Sequence, residues 1–546
     1  MMRKSWILAI GAAALAASSA AAQDAPTRPE PADHAAQMPA PTHSGHAAHS
    51  HDDMLVPRVP TLLTGYGVGG FAVTTSGPQA QAFFSNGMEL GAAFAHSAAG
   101  AAMEHAVMLD PACAMCKWGQ ALVEGPTINY GKDKKERKPL YALAREAEVM
   151  AVQHGTPRER ELTAALVERY RPGDPAKADA AYATAMQGVQ ARFPEDNEIA
   201  VLTADAMMVD SFNAAHEGGD FDHAEIARAA ALLEQVLARD PNHTPAIHFY
   251  IHAEEVLAAP QKAEPYADKL GTLAPSASHL VHMSGHTWYW LGRYEETAQA
   301  NARAVELGID NARRLEIPGP EGVWGLPYHA HNVIYGLGGA LMAGDATIGL
   351  ALARPLVEVA ARRTDDGPVM QLLAALGYEA IARFDPKSVA ALPEPRLPYL
   401  RAAWHYARGE AAASAGDAAA VTRERDAIPP TIARPKKKDS PAPEQMLGVM
   451  RAVLAGRVAM LGHDPRAAAE AFRQAAEIEE TKAFNDFSDP PAFWYPVRRD
   501  QAAALLAAGD AAGAKQAAEA SLKLRMKDPV AEALLAKASA ALAPQA

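Results

Sequence analysis

Small and apolar residues follow one another along this chain in runs of helical length, and each run ends at a turn signal. Asp240-Pro241 ends one run and Pro275 ends the next, so the two prolines lie 34 residues apart. Similar turns follow at Ala415-Gly416-Asp417, Leu461-Gly462-His463 and Ala508-Gly509-Asp510. The pattern predicts an all-α fold built from pairs of helices joined by short turns.

A period of 34 residues is that of the tetratricopeptide repeat. In the central segment Gly285 and Trp288 lie on a first helix, residues 291–296 form the turn, and Ala298 and Ala304 lie on a second helix. The chain therefore resembles the tetratricopeptide repeat (TPR) family over most of residues 80–540. The resemblance implies a TPR-like α-solenoid, a right-handed superhelix of helix pairs in which each first helix lines a concave groove.

The composition agrees with such an array. Hydrophobic residues make up 49% of the chain, which is enough for an ordered core, and aromatic residues only 6%, which favours closely packed helices over a β-sandwich. We expect N-terminal and central repeats over 80–385 and C-terminal repeats over 386–546. The formal charge of -13 argues against a nucleic-acid partner, because phosphate recognition needs clustered Lys and Arg.

Residues 1–22 have the features of a secretory signal peptide. Two basic residues precede a short apolar run, and Ala20-Ala21-Ala22 forms a cleavage site before Gln23. The run is too short to cross a bilayer, and no later stretch approaches the ~18 uninterrupted apolar residues of a membrane span. We therefore expect a periplasmic or secreted protein that is cleaved near Ala22/Gln23.

Residues 23–79 are predicted to be a disordered segment and a flexible lead-in, since Pro, Ala, Asp and His cannot form a core. Such a tract offers ligands for copper, nickel or zinc, although a merely polar tail is the alternative. Its histidines and methionines are His34, His43, His46, His49, His51, Met38 and Met54.

Two short motifs carry little functional weight. Residues 65–70 contain G-x-G-x-x-G, but the preceding run is broken by two prolines and makes a poor strand, so a flexible lead-in is favoured over a nucleotide site. Cys113 and Cys116 form C-x-x-C followed by Lys117, which excludes a c-type haem site. A local disulfide or two buried thiols is favoured over a redox or metal role.

The histidines after the tail are unevenly placed, and four of them follow the repeat period. His248 and His282 are separated by 34 residues, as are His252 and His286. If repeats begin at residues 244 and 278, these histidines occupy positions five and nine, which share one face of a helix. The resemblance to the TPR family implies that this face lines the concave groove.

The same faces carry further ligand types. Neighbouring helices pack ~8–10 Å apart, so imidazoles from two of them can reach one ion. His279 and Glu255 fall at positions two and twelve, and His331 opens the following first helix. The predicted metal ligands are therefore His248, His252, Glu255, His279, His282, His286 and His331. Crowded imidazoles repel when protonated, which favours neutral ligands on a cation, and the competing interpretation is a metal-free groove.

Two functions stay open at this point. The first is transition-metal binding in the groove, for metal handling or metal-dependent catalysis, with copper favoured over zinc or iron because of the export signal and the His/Met tail. The second is a metal-free scaffold that binds a protein or peptide in its concave groove, which is the usual role of repeat solenoids. No motif names a reaction.

Overall fold

The computed structural model describes residues 60–216, 221–314, 322–326, 328–364, 366–433, 441–485 and 490–543. The predicted signal peptide and the His/Met tail up to residue 59 lie outside these residues. The chain folds into two compact units. The first contains His51–Trp288 and Arg303–Pro318, and the second contains Tyr289–Ala302 and Gly319–Ala546. The predicted division of the repeats at residue 385 stays a prediction.

Helices α1 to α11 lie in the first unit, the last of them running two residues beyond it. Each packs against the next along the chain from α1 to α10. Their bounds are α1 (Pro78–Ala92), α2 (His96–Leu109), α3 (Ala114–Val123), α4 (Lys134–His154), α5 (Pro157–Tyr170), α6 (Pro175–Arg192), α7 (Asn197–His216), α8 (His223–Arg239), α9 (Thr244–Val256), α10 (Glu264–Leu273) and α11 (Ser278–Trp290).

The helix pairs of this unit stack so that first helices meet first helices. Contacts join α1 to α3, α3 to α5 and α7 to α9, which is the arrangement of a TPR-like solenoid. Helix α9 also contacts α1, although their sequences are far apart. The end of α1 is thereby brought beside the histidines of α9.

Short polar side chains determine where the helices begin. Thr156 and Asp174 accept hydrogen bonds from backbone N–H groups in the first turns of α5 and α6, and Asp222 does so for α8. Each cap satisfies a donor that has no partner within its own helix. Cys113 caps α3 through its sulfur and forms a disulfide with Cys116, as the sequence favoured.

The segment 60–77, which we call the strap, crosses the first unit in extended form. Asn86 holds it through a pair of hydrogen bonds with Leu63, at 2.9 Å to the backbone N–H and 2.7 Å to the carbonyl. Glu159 accepts from the backbone N–H and the hydroxyl of Thr74, at 2.6 and 2.8 Å. The prediction of a flexible lead-in is therefore wrong for the strap, because these side chains fix its backbone.

The glycines of the strap explain the weak G-x-G-x-x-G match. Gly67 has φ +100°, and a Cβ at this position would lie 2.2 Å from the Thr244 hydroxyl oxygen. That hydroxyl accepts a hydrogen bond from the backbone N–H of Val68 at 2.8 Å. The glycine lets the strap approach the start of α9 closely, which is a packing role rather than phosphate recognition.

The second unit consists of helices of the same kind. Consecutive helices from α13 to α19 pack against one another, as do α21 to α23. Their bounds are α12 (Tyr294–Arg314, which begins in this unit and ends in the first), α13 (His329–Ala343), α14 (Ala346–Arg362), α15 (Pro368–Phe384), α16 (Pro398–Ser414), α17 (Ala418–Ala427), α18 (Ala442–Leu461), α19 (Pro465–Glu479), α20 (Lys482–Asn485), α21 (Arg498–Ala507), α22 (Ala511–Leu524) and α23 (Pro529–Leu542).

Partly buried and buried ion pairs connect the helices of this second unit. Arg457 on α18 donates to Glu410 on α16 at 3.1 Å and to Asp500 on α21 at 2.8 Å. Arg499 pairs with Asp528 in the same way at 3.1 Å. Pairs of this kind offset the cost of removing each charge from water. Among the described residues, no helix combines the length and the apolar character that a membrane crossing requires.

Replacing Gly67 by Ala is expected to lower the free energy of unfolding by ~2 kcal/mol or more, since the new Cβ meets the Thr244 hydroxyl in a backbone conformation that favours glycine. Gly77→Ala is the matched control, because Gly77 lies in the strap with φ -140° and nothing within 4 Å of an added Cβ. The control should shift stability by less than about 1 kcal/mol. Urea denaturation of both variants tests this prediction. Equal unfolding midpoints for the two variants would contradict the close approach of the strap to α9.

Candidate metal centre

The repeat register predicted from the sequence is confirmed. Helices α9 and α11 begin at Thr244 and Ser278, the two positions at which the repeats were placed. Pro245 follows the first of these residues, and the side chain of His243 accepts a hydrogen bond from Ala246 to cap α9. The histidines at positions five and nine of the two helices therefore lie on equivalent faces.

The two helices bring five imidazole rings into one cluster. The Nε2 atoms of His248 and His279 lie 3.1 Å apart, and those of His282 and His286 lie 2.9 Å apart. His252 lies between these pairs, with ring centroids 5.1 Å from His248 and 5.4 Å from His286. We call these five residues the histidine cluster.

The histidine cluster is buried, whereas the sequence analysis placed its residues on the wall of a concave groove. His248, His282 and His286 have no exposed surface, and the other two are at most 6% exposed. Burial lowers the pKa of His248 to about 3. The imidazole is therefore neutral at pH 7, which is the form that offers a lone pair to a cation.

Hydrogen bonds at the far side of two rings set which nitrogen faces the cluster. His248 Nδ1 lies 2.8 Å from the carbonyl oxygen of Ala92, and His286 Nδ1 lies 2.7 Å from a carboxylate oxygen of Glu255. Both acceptors require a proton on Nδ1, which leaves the Nε2 lone pair directed into the cluster. Partners of this kind orient metal-binding histidines in proteins.

The predicted ligands fall into groups of suitable spacing. One ligand atom from each of His248, His252 and His279 can be chosen so that all lie within 4.8 Å of one another, and the same holds for His252, Glu255 and His286. Imidazole with carboxylate suits zinc, copper or iron. The donor set fits a transition-metal ion, and Glu255 can act as a ligand or as the acceptor that orients His286. His331 lies on α13 in the second unit.

Phe94 is the residue of this site that the sequence did not reveal. Its ring stacks on His279 with centroids 4.8 Å apart, and it meets the edge of His248 at 4.5 Å. Its φ of 55° is unusual for a residue other than glycine. Such strain concentrates at functional sites, and no sequence pattern marks it.

A cavity adjoins the histidine cluster within the first unit. Phe94 and Phe249 form part of its wall, together with apolar residues of α1, α3 and α7. Its polar lining comes from His96, Thr127, Arg169, Glu198 and Asp205. The sequence analysis assigned none of these residues to a site, because they come from separate helices that only the stacking brings together.

Among solved structures, this chain is similar to the P58(IPK) TPR domain, with 14% identity and a TM-score of 0.23 over 85% of this chain and 98% of that one. Yeast Tom70 matches with 11% identity and a TM-score of 0.26, over 85% and 88% of the two chains. The human IFIT1 dimer with m7Gppp-AAAA matches with 14% identity and a TM-score of 0.29, over 75% and 90%. No protein-family model and no curated protein matches.

The fold is nevertheless clear from the packing of this chain's own helices, since all three TM-scores are low. Consecutive helices form hairpins, first helices contact first helices, and α9 and α11 begin 34 residues apart. The protein is an all-α, TPR-like solenoid with a buried histidine cluster between two first helices.

The strain at Phe94 gives a testable order of stabilities. Both Phe94→Gly and Phe94→Ala remove the ring, but only glycine relieves the positive φ, so the Gly variant should be the more stable by about 1 kcal/mol. Phe83, inside α1 with its ring on His105, is the matched control. There the order should reverse, with Ala about 1 kcal/mol more stable than Gly. Thermal unfolding of the four variants measures this, and the same order at both positions would refute it.

Proposed function

We propose that the histidine cluster binds a transition-metal ion, with copper favoured and zinc or iron as alternatives. The observation that carries the proposal is the convergence of five buried imidazoles from two helices, with Nε2 atoms 2.9–3.1 Å apart within two pairs. Two neutral imidazoles at this distance can share only one proton, in a single hydrogen bond. A cation would instead accept lone pairs from several of these rings at once. Glu255 would supply compensating negative charge.

The cluster has more ligands than one ion requires, since a tetrahedral site takes four. His252 belongs to both groups of closely spaced ligands. It would therefore bind one ion that the two groups share, or lie between two neighbouring ions. Burial favours tight retention, which suits metal handling or storage. Metal-dependent catalysis would need one coordination position left for a substrate.

Export is part of the same proposal. Residues 1–22 would direct the chain to the periplasm or beyond, and the five histidines of the tail would gather ions for the cluster or deliver them. The preference for copper depends on this location and on the tail methionines, because copper(I) prefers soft ligands.

Metal content tests the proposal. In the full chain, with the five tail histidines changed to Ala, we expect at least one ion per chain after exposure to Cu²⁺, Zn²⁺ or Fe²⁺ and removal of the excess by gel filtration. The double variant His248→Ala/His282→Ala should lose this metal, because it removes one ligand from each helix. Elemental analysis measures the ratio. Added metal should also raise the melting temperature only when the cluster is intact, since an ion that binds the folded state alone stabilises it.

The control removes two imidazoles from elsewhere. His105→Ala/His463→Ala leaves the histidine cluster whole and should keep both the metal and its stabilising effect. A parent chain without metal, or a cluster variant that retains it, would refute the proposed site.

A metal-free interaction scaffold is the second candidate, and the strap contacts favour it. Asn86, Glu159 and Thr244 hold extended backbone by its N–H and carbonyl groups, which is how a groove recognises a peptide. In the first unit this surface already carries the chain's own strap. A protein that retains no metal in the experiment above would leave the scaffold as the function.

A further inference from the structure

The cavity beside the histidine cluster contains charged groups that the proposed metal site does not use. Arg169 on α5 is 1% exposed and donates one hydrogen bond to the carbonyl of Pro126 at 2.8 Å. Its Nε lies 3.9 Å from a carboxylate oxygen of Asp179 and, within the described residues, has no hydrogen-bond partner. Asp205 on α7 lines the same cavity.

The charges around this cavity do not balance. Arg137 holds Asp179 with two hydrogen bonds of 2.9 and 2.6 Å, and Arg169 attracts Asp205. Glu198 accepts a hydrogen bond from His243 Nε2 at 3.0 Å. His243 Nδ1 accepts a hydrogen bond from the backbone N–H of Ala246 at 3.3 Å. Among the residues that line the cavity, the two carboxylates of Glu198 and Asp205 face one guanidinium group, that of Arg169, so acidic groups are in excess.

We propose that this cavity binds a small organic amine with an apolar body, whose ammonium group pairs with Asp205. Met88, Leu122, Val201 and Leu202 provide an apolar wall for the body of the ligand. The unpartnered Arg169 Nε offers a donor to a second polar atom on a larger ligand.

The aromatic lining favours a cation over an anion. Phe94 and Phe249 border the cavity, and the faces of aromatic rings attract ammonium groups. Burial raises the pKa of Asp205 to about 6, so the carboxylate is largely ionised at neutral pH yet poorly solvated. A carboxylic acid would instead meet Asp205 and Glu198 with charge of the same sign.

This inference does not depend on the proposed metal. Phe94 and Phe249 border the cavity and contact His248, whereas none of the five histidines of the cluster lines the cavity. Its test therefore uses chelator-treated protein, in which binding of an amine to a metal cannot contribute.

Calorimetry on the full chain with three probes of similar size tests the proposal. We expect 2-phenylethylamine to bind more tightly than 2-phenylethanol, and 3-phenylpropionate to bind most weakly. Asp205→Asn should weaken binding of the amine roughly 10- to 100-fold, the usual worth of a hydrogen bond to a charged group, and leave the alcohol unchanged.

Two variants control for the fold and for the cavity. Asp210→Asn makes the same chemical change one and a half turns along α7, outside the cavity lining, and should not alter binding of the amine. Val201→Phe fills the cavity and should abolish binding of amine and alcohol alike, with the melting temperature confirming a folded chain. Equal binding of amine and alcohol to the unmodified protein, no binding of any probe, or an Asp205→Asn variant with full affinity would each overturn the proposal.

Discussion

The contact between α9 and the end of α1 is the constraint on which the candidate site depends. It places the Ala92 carbonyl 2.8 Å from His248 Nδ1 and brings Phe94 against two imidazoles of the cluster. A helix pair alone would leave these rings exposed to water, where each titrates near its ordinary pKa. Because the stack closes over them, they become buried and densely packed, and burial lowers the pKa of His248. Burial thereby converts a row of histidines into a potential ligand set.

The strap adds a second constraint at the same place. It attaches to α1 through Asn86, to the start of α9 through Thr244 and, at Gly65, to the residues just before α11 through a 2.8 Å hydrogen bond from Ser276. Contacts to three separate helices fix their spacing, and two of these helices carry the histidines. The distances between imidazoles therefore depend on a segment that contributes no ligand.

Local pattern was enough to predict the helices and the histidine register, because a 34-residue period places His248 and His282 on equivalent faces whatever the stacking. It could not predict burial, since the TPR resemblance implied only that these residues line a concave groove, and the closure of α9 on α1 is a long-range contact. The roles of Phe94 and Asp205 could not be predicted from the sequence for the same reason. A positive φ on phenylalanine has no sequence signature, and a lone carboxylate becomes distinctive only when a cavity forms around it.

Phe94 connects the two candidate sites in physical terms. One side of its ring stacks on His279, and the residue also borders the cavity that contains Asp205. Its backbone is held in a conformation that costs about 1–2 kcal/mol, so the surrounding packing must hold it there. A ligand that fills the cavity presses on the same side chain that packs against the imidazoles. Coupling between the cavity and the histidine cluster would therefore pass through Phe94 and through Phe249, which lines the cavity and stacks on His248 with ring centroids 5.1 Å apart.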